Sequence, residues 1–236
     1  MKTTLENKTT EQKSIIYKAG KIAGITFLFN LIVPTLGYVF IQSKLLVKEN
    51  PVLTAENIIN NEFLFRIGIL LEMFLAVGLV ALGYSLFLLL RHVDKIISKF
   101  AFILKVVEAL LMAVVTLFSF FALQILIHSN EFPALIENNI HILTGFAFEQ
   151  HSTLNSVPML FLGIEMILFS LLLYRSELIP KLISGFGIFS FSLIFIYGIF
   201  SIINPAMNLM ALTLPSFLFE LICGCWLLIK GISIKR

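Results

Sequence analysis

Glu72, Glu108, Glu165 and Glu220 each stand inside a long apolar stretch of this chain. A carboxylate in such surroundings is costly unless it is protonated, hydrogen-bonded or paired, so it is expected to face other protein groups. Helical spacing supports that orientation. On the last stretch Thr213, Ser216, Glu220, Cys223 and Gly224 recur as one polar, small-residue seam. Gly68, Glu72, Ala76 and Gly83 approximate a second seam, and Lys105, Glu108, Met112, Thr116 and Ser119 form a third. Acids converging from separate helices would line a polar cavity for a cation, a proton or an amine-bearing ligand. The plainer reading is that each acid is protonated or hydrogen-bonded and holds helices together. Lys105 and Glu108, three apart, are expected to form a structural ion pair, with Lys105 snorkelling towards the interface. No base is expected at the depth of Glu165 or Glu220. Glu72, Glu165 and Glu220 are therefore the carboxylate candidates for ligand or ion binding.

His151 is the fourth candidate. Imidazole exchanges protons near neutral pH, and His151 stands just before an apolar stretch that opens at 157. Glu165 is 14 residues further on, about 21 Å away along a continuous helix. His151 must then use a carboxylate from another element, and Glu72 is the expected one. His128, His141 and His151 lie near Glu131, Glu137 and Glu149 in a stretch without Lys or Arg. Imidazole and carboxylate suit zinc, but H-E-x-x-H is absent and the spacing is irregular. The stretch reads as a solvated acidic loop, and no metal is assigned.

The elements that must position these groups are membrane helices. Hydrophobic residues make up 58% of the 236 and charged ones 13%, with mean hydropathy +0.98; a soluble globule carries about twice that charge. Stretches at 22–41, 67–90, 102–127, 157–174, 182–200 and 209–229 are long enough to cross a bilayer. Unbroken runs argue for helices over the alternating pattern of a barrel. The expected fold class is all-α: a six-helix transmembrane bundle with a short interfacial helix in the third gap. That helix would open near Pro133 with Leu135, Ile136, Ile140, Leu143 and Phe146 on its apolar face. A second short helix follows Pro51, with Thr54 as its expected N-cap. The expected organisation is a polar leader at 1–21, one six-span domain at 22–230 and a tail at 231–236.

Fourteen of 17 basic residues fall in the leader, the second and fourth gaps with their flanks, and the tail; Lys44, Lys48 and Arg66 do not. Positive residues concentrate on the cytoplasmic side, so both termini are placed there, in the cell membrane. The net charge of +3 is thus a matter of topology and not a nucleic-acid footprint. Cys223 and Cys225 point to nearly opposite faces of a helix, so no mutual disulfide is expected. Gly20 and Gly24 permit close helix approach, and Asn30 and Pro34 line a cavity or make a kink. No phosphate loop, nucleophile elbow, dinucleotide motif or catalytic triad is found in the sequence, so no cofactor and no catalytic residue is assigned.

Read in order, the chain resembles the bacterial integral-membrane family catalogued as domain of unknown function 4386. The likeness runs through 21–24 (KIAG), 54–58 (TAENI), 65–68 (FRIG), 90–93 (LRHV) and 105–108 (KVVE). It continues with His151 twelve residues before Gly163, then 174–176, 179–181, and 215–231. Glu165 departs from the histidine expected there in many members, which weakens any metal or proton-relay role carried over to it. The resemblance implies fold and topology, and brings no activity or substrate. The leading functional expectation is a membrane protein that binds or conducts a small molecule or ion through a carboxylate-lined cavity. The alternatives are a membrane enzyme acting on lipid or peptide, with His151 and a carboxylate as acid–base groups, and a regulatory or immunity-type partner. A water-filled cavity reaching Glu220 would favour the first, His151 within hydrogen-bond reach of Glu72 or Glu165 the second, and a dry, fully packed interior the third.

Overall fold

The computed structural model describes residues 2–128, 140–204 and 209–233. Within them lie eight helices and no strands. Helix α1 (Lys2–Gly37) runs through a π-turn at Tyr38–Gln42 into Ser43–Leu45. Then come α2 (Pro51–Asn60), α3 (Glu62–Leu90), α4 (Lys95–Ile127), α5 (Ile140–Leu154), α6 (Ser156–Ser176), α7 (Lys181–Ile203) and α8 (Leu214–Ile229), the last entered by a 3-10 turn at Met210–Thr213. Six of these, all but α2 and α5, are long and apolar enough to span a membrane. The expected spans correspond to them one for one. Leu182, Leu110 and Val77 illustrate the apolar side chains that face outwards.

The six spans form a closed ring. Each packs on the span before it, and α8 returns to α1. Glycine makes that closure tight: a Cβ on Gly24 would lie 2.9 Å from Leu228 and 3.1 Å from the Gly224 carbonyl. Phe219 then sets its ring edge-on to Phe27 and Phe191, tying α8 to α1 and α7. The two short helices pack on one another across one end of the ring, α5 also resting on α4. A Cβ on Gly145 would collide with the Pro51 carbonyl, so α5 meets the start of α2 backbone to backbone.

Side chains cap the starts of two helices. Asp94 accepts from the Ile96 and Ile97 amides and caps α4. Helix α2 corrects an expectation: Asn50 is the cap, accepting from Leu53 N, and Pro51 takes the first position. Thr54 lies inside the helix, where its hydroxyl receives the Val47 amide at 2.9 Å. Helix α5 occupies the third gap as expected; its proposed opening at Pro133, and Leu135 and Ile136, lie outside the described residues. Cys223 and Cys225 are both free thiols.

Candidate functional site

One face of α4 organises the polar interior. Lys105, Glu108, Met112, Thr116 and Ser119 line it over about 21 Å. Two clusters form, one at each end of this stripe.

At the Lys105 end the ammonium lies 2.9 Å from Glu108 Oε2 and 2.7 Å from Glu165 Oε1. Lys105 and Glu165 are 1% and 0% exposed. This overturns two expectations. Lys105 does not snorkel to the interface, and Glu165 does have a base at its depth. The cause is the long lysine stem, which carries the charge sideways from α4 to α6. Gly83 on α3 clears the way: a Cβ there would lie 2.7 Å from Lys105 Cγ. A lysine and two acids out of water are tolerable because the ammonium bridges both acids.

At the other end stands His151. Its Nε2 lies 3.2 Å from Glu72 Oε1, so the expected pairing is present. Its Nδ1 lies 2.8 Å from Ser119 Oγ. Glu72 also receives the Thr116 hydroxyl at 2.9 Å, a hydrogen shared with the Met112 carbonyl, and the Gln42 amide at 3.3 Å. Four helices therefore converge: α1 gives Gln42, α3 Glu72, α4 Thr116 and Ser119, α5 His151. Gln42 is the last residue of the π-turn that follows Pro34 by one turn. Proline removes an amide from the ladder, and a π-turn absorbs the change of register. The helix is not continuous from His151 to Glu165, because Asn155 interrupts α5 and α6.

A cavity of about 510 Å³ joins the two ends. Glu72, His151 and Ser119 line it at one end and Lys105, Glu108 and Glu220 elsewhere, with Ser216 and Thr213 of the expected α8 seam. Glu165 is not on this wall; it sits behind Lys105. Most of the lining is apolar, including Leu71, Leu75, Met112 and Leu162. Asn30 is buried on the same wall, and neither atom of its amide has a hydrogen-bond partner among the described residues. It packs onto Gly78, where an added Cβ would collide with its Oδ1. A buried amide left unsatisfied calls for a partner.

Sequence reasoning missed Ser119 as a partner of His151. Its place in the α4 seam was visible; the histidine opposite it, on another helix, was not. The remaining histidines do not join the site. His128 Nδ1 lies 3.0 Å from the Gln124 carbonyl of its own helix. Among the described residues no His, Cys, Asp or Glu cluster could hold a metal. Glu131 and Glu137, and the side chain of Glu149, lie outside those residues.

Compared with known sequences, residues 22–231 match the family model described as Domain of unknown function (DUF4386). No curated protein and no solved structure matches the chain.

Proposed function

The chain belongs to the DUF4386 family, multi-pass membrane proteins without an assigned activity, and from that premise we propose that its cavity binds a small amphiphilic molecule carrying an amine or another cationic head. One observation carries this reading: carboxyl groups from three helices, Glu72, Glu108 and Glu220, share a single cavity with the unpartnered amide of Asn30. Pockets for small molecules typically hold about 300–1,000 Å³, with mostly apolar walls and a few polar groups that orient the occupant. This cavity has that size and that balance. Its acids outnumber Lys105 and His151, so a cation or proton is the occupant that evens the charge. The apolar wall takes the rest of the molecule.

In the topology that the basic residues favour, both termini are cytoplasmic and α2 and α5 cover the outer end, so the His151 cluster is the outward mouth. A wall of carboxylates and an interior that is not packed solid both speak against a chain that acts by helix contacts alone. A second reading, a membrane enzyme, draws support from the His151–Glu72 distance of 3.2 Å.

Thermal unfolding of the full chain in lipid nanodiscs, with octylamine or octanol added, tests the binding reading. Octylamine is expected to raise Tm in a saturable way that Glu220→Gln weakens. Equal shifts with octanol, or shifts unchanged by Glu220→Gln, would contradict it.

A further inference from the structure

We infer that Ser119, His151 and Glu72 form an acyl-transfer centre at the mouth of the cavity, acting on an ester with an apolar acyl chain. The inference rests on the enzyme reading of this site and supplies what that reading lacks, a nucleophile and a reaction class.

Three observations converge. First, one imidazole nitrogen faces a hydroxyl at 2.8 Å and the other a carboxylate at 3.2 Å. Nucleophile, base and orienting acid within hydrogen-bond reach define the arrangement on any fold. Here Nδ1 faces the serine and Nε2 the acid, the reverse of the serine-protease order; the chemistry requires only that the two nitrogens have these separate partners.

Second, the neighbours of Glu72 favour one tautomer of His151. Glu72 receives the Thr116 hydroxyl and the Gln42 amide, so it acts as an acceptor. We therefore assign the hydrogen of neutral His151 to Nε2, 3.2 Å from Glu72 Oε1, which leaves the Nδ1 lone pair to Ser119. That is the state of a base ready to take the serine proton.

Third, the Ser119 hydroxyl is directed to another helix, unlike that of several helical serines. Ser98, Ser184, Ser190, Ser192 and Ser216 each donate to a carbonyl of their own helix, the ordinary way for a hydroxyl to be satisfied in a helix. The Ser119 hydroxyl instead points across to His151, on the wall of the cavity.

The reaction balances without a metal or cofactor. Ser119 Oγ attacks the ester carbonyl carbon; the new C–O bond forms as the serine proton passes to His151 Nδ1. The imidazolium is held against Glu72. Collapse of the tetrahedral adduct breaks the bond to the alcohol, which leaves with the proton from His151. Water then attacks the acyl-serine by the same route, giving a carboxylic acid and restoring Ser119. Asn155 follows His151 by one turn and lines the same cavity, and on that ground we assign its side-chain NH2 as the donor to the developing oxyanion. Ser119 and His151 are catalytic residues in this scheme, and Glu72 is a positioning residue that acts through His151.

The test uses the full chain in nanodiscs with an alkyl fluorophosphonate and with 4-nitrophenyl octanoate. Peptide mass mapping of the wild-type protein is expected to find the phosphonyl adduct on Ser119. Ser119→Ala should remove the adduct and the esterase activity. His151→Ala should slow labelling by about 100-fold or more. Glu72→Gln should lower kcat with KM little changed, and Glu72→Asp should recover part of the loss. Labelling of folded wild-type protein at other residues only, or not at all, would overturn the inference, and this arm depends on no variant folding. Octylamine binding in the same preparation separates the two ideas. Binding without an adduct removes the acyl-transfer centre and leaves the cavity reading; an adduct without binding does the reverse.

Discussion

Two polar clusters share one face of α4, and they are built in opposite ways. The Lys105 cluster is sealed from solvent: Lys105 and Glu165 are at most 1% exposed, although Lys105 and Glu108 stand on the cavity wall. The His151 cluster is partly open, with His151 12% and Glu72 20% exposed. The sealed cluster spends its hydrogen bonds on linking α4 to α6. The open one gathers groups from four helices at a cavity wall, where an occupant can reach them. Acids inside an apolar stretch thus stand in two different settings in one protein. Burial and pairing decide which, and sequence spacing alone does not.

The sharpest way to break this contrast is to remove one partner from each cluster. Lys105→Met would leave Glu108 and Glu165 buried without their cation. It is expected to destabilise the chain by about 3–5 kcal/mol, read by chemical unfolding in detergent. Adding Glu108→Gln and Glu165→Gln should recover much of that loss, because neutral groups need no counter-charge. A Lys105→Met protein as stable as wild type would show that the sealed cluster does not hold α4 to α6.

The same change at two glycines of α3 compares the ends next. Gly83→Ala pushes a methyl into the Lys105 stem, with contacts from 2.7 Å, and overpacking of this kind costs about 1–3 kcal/mol. Gly68→Ala meets Ile41 at 3.3 Å, a side-chain tip that can give way, so its effect on unfolding should be clearly smaller. Equal losses would mean that the cavity end is packed as tightly as the sealed end.

His151→Ala and Glu72→Gln remove net hydrogen bonds at the open end, each costing about 0.5–1.5 kcal/mol. Measured singly and together, they should depart from additivity by about 0.5 kcal/mol or more. Strict additivity would dissolve the pair. The mildest probe leaves stability untouched. With Cys223 and Cys225 replaced, a cysteine at Ser43 should react with an impermeant reagent from outside the cell, and one at Lys99 only after the cytoplasmic face is opened. The reverse pattern would invert the orientation and move the His151 mouth inside.

Much of this was legible in the residues. Apolar length located all six spans, and helical spacing picked out the seams of α3, α4 and α8. Depth counting separated His151 from Glu165 and directed it to Glu72. What escaped were contacts set by how helices rotate against one another. Ser119 and His151 are 32 residues apart, and Lys105 and Glu165 are 60 apart; no local pattern aligns either pair. Depth counting also places a Cα, not the end of a four-carbon stem, which is why Lys105 was expected at the interface. At α2 the error was one of competing signals: Asn50 followed by Pro51 makes a better start than Thr54.

The claim that the cavity is a binding site is tested most directly by a structure of the chain in nanodiscs with octylamine. The alkyl chain should lie along Leu71, Leu75 and Met112, with its nitrogen within hydrogen-bond distance of Glu72, Glu108 or Glu220. Octylamine found only on the lipid-facing surface, with the cavity unoccupied at saturation, would contradict it.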